Sequence, residues 1–304
     1  MTASALLGAG WEDDSLEVLW RDADRAFCRL WRNDAETHAF IPIPSGTEHP
    51  TLASINRLTH ENELKDHLDD EWALRPVELV RERGRTMLVV EYTGGEPLVR
   101  LVGQPMEIGG FLRLAVALSA ALGRLHGRGL IHKDINPANV IVDSTAGRVW
   151  LAGFGIASRL PREHQTPEPP DTIAGTLAYM APEQTGRMNR SVDARSDLYS
   201  LGVTLYQMVT GVLPFAAADP MELVHCHIAR QAIPPVERTP GVPAVVSAII
   251  MKLLAKTQED RYQTAAGVDA DLRRGLTAYQ QAVNIEPFDP VTALSLAGAW
   301  IGSR

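Results

Sequence analysis

Residues 130–158, LIHKDINPANVIVDSTAGRVWLAGFGIAS, restrict this chain more than any other stretch. Asp134 and Asn139 lie in a polar loop, followed by a β-rich run, a Gly147-Arg148 turn and a second β-rich run that ends in Gly153-Phe154-Gly155. A loop acid and a nearby amide, followed one hairpin later by a second acid, form the constellation that phosphoryl transfer uses. The first acid accepts a hydroxyl proton, the amide oxygen holds a metal ion, and the later acid holds metal across the phosphates. Here the position of the later acid is a glycine, Gly153.

The remaining chain has the size and composition for a full core. Its 304 residues can support two lobes around a cleft, and 45% apolar with 22% charged residues is ordinary globular composition. A net charge of −8 gives no footprint for nucleic acid or for an anionic membrane surface. The two cysteines, Cys28 and Cys226, are far apart in sequence and fit a reducing compartment rather than a disulfide framework. Met1 is followed by no basic segment and long apolar run, and the apolar residues of 292–302 are too few to span a bilayer. The expectation is a cytoplasmic protein without membrane insertion. Lysine is scarce: only Lys65, Lys133, Lys252 and Lys256 occur, the other basic residues being arginines.

Residues 1–14 read as a loose terminus. In 16–32 two β-like runs flank the polar turn 21–25, and 37–43 is another short strand. Apolar residues at helical spacing mark 52–68, and 77–80 with 87–92 read as a hairpin. After Gly94-Gly95 the pattern turns helical. Residues 111–126 are strongly amphipathic, 196–211 are apolar on most faces as in a buried central helix, and 221–230, 243–256 and 265–280 are further helices. Residues 159–172, rich in Pro, Glu and Thr, read as a mobile loop.

Several landmarks carry a resemblance. Leu125-His126 precedes Ile131-His132-Lys133-Asp134, with Asn139 at catalytic-loop spacing. Ala181-Pro182-Glu183 follows Gly153-Phe154-Gly155 at activation-segment distance, Asp197-Leu198-Tyr199-Ser200-Leu201-Gly202 matches a central helix, and Arg261 stands where a partner of Glu183 is expected. In this order and spacing, with Glu61 on the first helix, the chain resembles the protein kinase family. The resemblance implies an α+β, bilobal fold: a β-rich N-lobe with one main helix over residues 15–93, a larger helical C-lobe over 94–282, and a tail or linker over 283–304. More narrowly, residues 175–215 with HKDINPAN and MELVHCHIAR are similar to the N-terminal kinase-like domain of large multidomain bacterial hybrid sensor histidine kinases and ATPases. In those proteins a tail like residues 271–288 leads into the ATPase region, which implies partners among other signalling proteins or the downstream domains of a longer chain.

The resemblance assigns roles residue by residue. Asp134 takes the catalytic-base position, Asn139 the metal-binding and bracing position, and Ile141 a nucleotide-lining one. Val90, Glu91 and Tyr92 form the hinge that would meet an adenine edge, with Val90 as gatekeeper. His132 reads as a packed residue that holds the loop, Lys133 replaces the usual Arg, and Asn136 replaces a lysine that touches the transferring phosphate. Phe154 keeps its packing role. Thr166, Thr172 and Thr176 are threonines open to modification, Thr176 being better suited to contact Asp134.

Three departures concern the grip on phosphate. Gly153 cannot ligate metal, so Mg²⁺ loses a ligand. The third-strand lysine is missing from His38-Ala39-Phe40-Ile41-Pro42-Ile43, which leaves Glu61 without a lysine partner; Arg29 or Arg32 is the candidate substitute. Residues 21–26, with two aspartates, stand where a glycine-rich loop would cradle phosphates, and Gly8-Ala9-Gly10 comes too early in the chain to serve. The expectation is a Ser/Thr kinase-like signalling domain impaired in catalysis, a pseudokinase acting as a regulatory or scaffolding module. The alternatives are an active Ser/Thr kinase with atypical nucleotide binding, and an ATP-binding switch without transfer.

Overall fold

The computed structural model describes residues 16–21, 25–32, 35–42, 50–82, 85–92, 94–159, 163–164 and 176–284. The readings made for residues 1–14, Gly8-Ala9-Gly10, the turn at 22–24, Thr166, Thr172 and the tail from 285 lie outside the described residues.

The N-lobe contains β1 (Leu16–Arg21), β2 (Arg25–Arg32), β3 (Ala35–Pro42), helix α1 (Leu52–Glu63), β4 (Pro76–Glu82) and β5 (Arg85–Val90). Its strands form an antiparallel sheet in the order β1-β2-β3-β5-β4. Period-two alternation divides the side chains between two faces. Ala26, Cys28, Ala39, Ile41, Met87 and Val89 pack on the outer face. Phe27, Phe40, Leu88 and Val90 pack on the inner face, against Leu58 of α1 and against Ile141, Trp150 and Ala152 of the other lobe. Arg25 stands two residues before Phe27, so the same alternation puts it on the inner face. A register shift between Val18 and Trp20 brings Trp20 opposite Phe27 and so turns the indole inward.

Helix α1 begins at Thr51, whose hydroxyl accepts from the Ser54 N–H at 3.1 Å. It ends at Glu63, earlier than the sequence pattern implies, because a 3₁₀ turn over Lys65–His67 takes up the following residues.

The C-lobe adds β6 (Glu96–Pro97), α2 (Ile108–Gly127), the hairpin β7 (Val140–Asp143) and β8 (Arg148–Leu151), then β9 (Glu163–His164) and β10 (Ser191–Val192). Helices α3 (Ala194–Thr210), α4 (Pro220–Ala229), α5 (Pro235–Arg238), α6 (Ala244–Leu253) and α7 (Ala265–Asn284) complete it. Helix α3 is the axis of the lobe: Leu198, Tyr199, Leu201, Val203, Leu205 and Tyr206 have no exposed surface. By length and composition α2 would pass as a membrane-crossing helix. Here its Phe111, Leu114, Leu118, Leu122 and Leu125 are buried in the core of the lobe. Further features of this lobe differ from the sequence reading, among them the strand β6. The one-turn helix α5 was not expected, and within 159–172 the pair Glu163–His164 forms a strand against Ser191–Val192.

Candidate functional site

The catalytic loop is held from below by α3. Asp197, fully buried at the start of that helix, accepts from the backbone N–H groups of His132 and Lys133, both at 2.8 Å, and from His126 Nε2 at 2.9 Å. Lys133 takes a positive φ of 68°, which turns the chain so that Asp134 faces the cleft. His132 is fully buried, and burial lowers its pKa and keeps the ring neutral. Its Nε2–H then donates to the Ala152 carbonyl at 3.0 Å while Nδ1 accepts from the Asp134 N–H at 3.3 Å. The ring is therefore a strut between the loop and the segment that carries Gly153.

Asp134 is held on both oxygens. Oδ1 accepts from the Thr176 N–H at 2.8 Å and from Asn136 Nδ2 at 3.1 Å, and Oδ2 accepts from Asn139 Nδ2 at 2.9 Å. Asn136 also donates to Thr176 Oγ1 at 3.1 Å, so it secures the loop where a lysine would have offered charge. The Asn136 side-chain oxygen accepts from the Ala138 N–H at 2.9 Å and starts the 3₁₀ turn Pro137–Asn139 that aims Asn139 inward.

The position of the later acid is occupied by backbone alone. Gly153 has φ +80°, a region that disfavours L-residues with a side chain. A Cβ there would collide with the Asn139 carboxamide, 2.6 Å from its Cγ, and lie 2.9 Å from Arg25 Nη2. The Gly153 N–H donates to Glu61 Oε1 at 3.1 Å.

Arg25 supplies the cation that Glu61 lacks. Its Nη1 lies 3.7 Å from Glu61 Oε2, its Nη2 donates to Asn139 Oδ1, and its guanidinium stacks 4.4 Å from the Phe40 ring centroid. The sequence reading of Arg29 or Arg32 is thus corrected. Arg29 shares the inner face but lies four residues along β2, about 13 Å away, and is held by Glu17 at 2.9 Å and Glu36 at 3.1 Å. The Arg32 side chain lies outside the described residues. Glu61 itself is 1% exposed, so it is not a solvated helix glutamate.

The nucleotide-facing side of the sheet is filled by aromatic rings. Trp20 stacks on Phe27 with centroids 4.1 Å apart, and Phe27 meets Phe40 at 4.8 Å and Tyr92 at 5.0 Å. His38 lies 4.5 Å from Tyr92, and burial lowers its pKa, so it packs as a neutral ring. Val90 is 4% exposed and Ile141 fully buried, both within the same packed cluster. At the hinge, the Glu91 N–H donates to the Arg75 carbonyl at 2.9 Å and its carboxylate meets Arg75 Nη1 at 3.2 Å. The Tyr92 hydroxyl donates to the Gly95 carbonyl at 2.6 Å. A cavity beneath Arg25, lined by Ser54, Arg57, Glu61, Asp134 and Asn139 among others, measures about 50 Å³. Small-molecule sites usually offer roughly 300–1,000 Å³.

The structure brings Glu61, Asp134, Asn139 and Gly153 together around Arg25 and sets Val90, Tyr92 and Ile141 in the aromatic cluster, with Glu91 held by Arg75. Sequence reasoning missed Arg25, Trp20 and Phe27. The first and last share an inner-face alternation that strand counting could have shown, whereas Trp20 depends on a bulge. The residues do not fit a divalent ion: the acid is absent, Asn139 Oδ1 accepts from a guanidinium, and no group of three His, Cys, Asp or Glu suited to metal occurs among the described residues.

A β-sheet lobe set over a helical lobe, with an Asp–Asn loop at their junction, defines the two-lobed phosphotransferase architecture. The pattern described as Protein kinase domain matches residues 45–271, and the chain belongs to that family. The match starts beyond β3, so the strands that carry Trp20, Arg25 and Phe27 lie outside it. Serine/threonine-protein kinase PknB of Mycobacterium tuberculosis is 38% identical over 189 residues, covering 62% of this chain and 30% of that protein. Serine/threonine-protein kinase Pkn1 of Myxococcus xanthus is 34% identical over 221 residues, or 72% of this chain and 30% of its own length. A probable serine/threonine-protein kinase of Clostridium perfringens is 34% identical over 191 residues, covering 62% of this chain and 27% of that protein. The chain is homologous to bacterial Ser/Thr kinases and spans 27–30% of the length of these relatives.

Proposed function

We propose that this protein kinase domain is a pseudokinase, a signalling module that regulates or scaffolds and does not transfer phosphate. The observation that carries this reading is the hydrogen bond from Arg25 to Asn139 Oδ1: the amide oxygen that would ligate metal is committed to a guanidinium of the same chain. Removal of a single electrostatic contact to a transition state costs on the order of 10²–10³ in rate. This cleft lacks the acid at Gly153 and the lysine on β3, and Phe27, Phe40 and Tyr92 pack together with Val90 on the inner face of the sheet. The C-lobe, in contrast, keeps a complete core that suits a platform for protein recognition.

Within that reading, the partners are other signalling proteins or the downstream domains of a longer chain, in the manner of the multidomain bacterial sensor histidine kinases that residues 175–215 resemble. The site of action is the cytoplasm. The homology to proteins named as Ser/Thr kinases, together with Asp134 in the base position, favours the second reading of an active kinase.

Thermal denaturation with ATP, with and without Mg²⁺ or Mn²⁺, run beside a radiolabel autophosphorylation assay, separates the readings. A ligand bound to the native state raises the melting temperature. The expected result is no shift and no label. A shift without label would make the domain an ATP-sensing switch. Label that is lost in Asp134→Asn would overturn the pseudokinase reading.

A further inference from the structure

We propose that Arg25 is an internal latch that holds α1 against the catalytic loop and keeps the two lobes closed in the absence of nucleotide and metal. The proposal rests on the reading of this cleft as non-transferring and specifies what that cleft does instead.

The latch is a continuous line of polar contacts from one lobe to the other. Glu61 on α1 accepts from the Gly153 N–H at 3.1 Å and faces Arg25 Nη1 at 3.7 Å. Arg25 on β2 donates to Asn139 Oδ1, and Asn139 donates to Asp134 Oδ2 at 2.9 Å. Carboxylate, guanidinium, carboxamide and carboxylate thus alternate across the junction, each oxygen facing a donor or a cation. The Arg25 side chain is 12% exposed and that of Glu61 1% exposed, so water competes little for either. The guanidinium is held in place from above by the Phe40 ring at 4.4 Å, and Phe40 is in turn fixed against Phe27.

Three sequence departures then act as one coupled change. Phe40 and Pro42 are the residues of the β3 end that share the inner-face alternation on which a cleft-facing lysine would stand. Phe40 supplies the π-face for Arg25. Arg25 opens β2, directly after the residues that stand where the family has a glycine-rich loop, and so provides the cation. Gly153 leaves the room: an aspartate there would drive its Cβ into the Asn139 carboxamide and toward Arg25 Nη2. The acid that binds metal and the arginine that replaces it exclude each other. The same closeness extends along the junction, where a Cβ at Gly155 would lie 2.7 Å from Arg57 Cβ, so α1 rests directly on the segment after Gly153.

Hydrogen exchange of the full chain in EDTA tests the latch, since exchange reports local opening. Amides of α1 and of residues 153–158 are expected to be protected without nucleotide and unchanged by ATP with Mg²⁺. Arg25→Gln is expected to raise exchange there at least about tenfold while α3 and α6 stay protected. Gly153→Asp, which restores the family's acid, should also open the junction rather than create metal binding. Arg25→Lys and Phe40→Leu, which leave the Gly153 backbone and Asn139 untouched, should give intermediate opening and decide the matter if Arg25→Gln unfolds globally. Unchanged protection in the Arg25 and Phe40 variants would overturn the latch, as would wild-type protection that appears only with ATP and Mg²⁺. Phosphate transfer by the wild type would sink the pseudokinase reading by itself, whatever the exchange pattern.

Discussion

The two ends of Asp134 face regions built on opposite terms. Below it, in the C-lobe, the buried carboxylates that anchor the loops are present and satisfied. Asp197 receives the loop backbone, and Glu183 meets Arg261 through two bonds of 2.7 and 2.9 Å with both side chains fully buried. Above it, in the N-lobe, the sheet presents aromatic rings and one arginine to the cleft. The shape of the catalytic loop is thus set independently of the side chains that the sheet presents to it. Its geometry is fixed by backbone groups and buried carboxylates of the helical lobe, whereas Arg25 and Phe40, which close over it, come from the sheet.

That comparison is broken most severely by removing the lower anchor. Arg261 also donates to the carbonyls of Ala255, Arg195 and Lys256, at 2.7, 3.0 and 3.1 Å. Arg261→Met would strand the buried Glu183 carboxylate with only Ser196 and Gln258 for company. Loss of one member of such a pair costs about 3–5 kcal/mol. Urea denaturation is expected to show a loss of this size, and a change under 1 kcal/mol would mean that the C-lobe anchor is not what holds the loop.

A second buried group lets pH probe the same lobe. Burial pushes the His227 ring down to about 4, and its Nδ1 lies 2.9 Å from the Tyr199 hydroxyl. Burial also raises the phenol's pKa, so the phenol remains the donor. A histidine that titrates lower when folded leaves the unfolded chain to take up protons first. Its contribution is intact above the unfolded value of 6.5, declines as pH falls from there to about 4, and is constant below. At about 1.4 kcal/mol per unit the decline reaches about 3 kcal/mol. Denaturant titrations at pH 7 and pH 4.5 should show it in the wild type and show a smaller decline in His227→Gln. Equal declines would place the acid sensitivity elsewhere.

The two regions also differed in how far their sequence could be read. Asp197, Glu183 and Arg261 were legible because each is tied to a short motif at fixed spacing, and so was Gly153, since a missing carboxylate is visible as a letter. Arg25 was not, because a cation donated from β2 instead of β3 is a matter of which strand faces inward and where. Arg25, Phe27 and Arg29 all share the inner face, and only the pairing of β2 with β3 shows that Arg25, opposite Pro42, reaches the α1 end of the cleft. Trp20 was hidden more deeply. In an unbroken register it would stand opposite Ala26 on the outer face. The shift after Val18 moves it opposite Phe27, and a one-residue slip of that kind leaves no mark in composition or spacing.

The aromatic filling itself can be removed in part, which sharpens the comparison where it is most specific. Phe27 is fully buried, and Trp20, Phe40, His38 and Tyr92 all make ring contacts with it or with one another. Phe27→Val would delete most of the ring, with a cost on the order of 2 kcal/mol, below the 3–5 of a full truncation because valine retains part of the packing. The variant should fold and show a modest drop in melting temperature. If the rings alone keep adenine out, Phe27→Val should gain a thermal shift with adenosine, which carries no phosphate and so bypasses the arginine. It should gain none that depends on Mg²⁺ with ATP, because Arg25 still engages Asn139 Oδ1 and Gly153 still offers no carboxylate. A shift that does depend on Mg²⁺ would show that Arg25 yields to a metal once the plug is gone, and would reduce the contrast between the two lobes to a single phenylalanine.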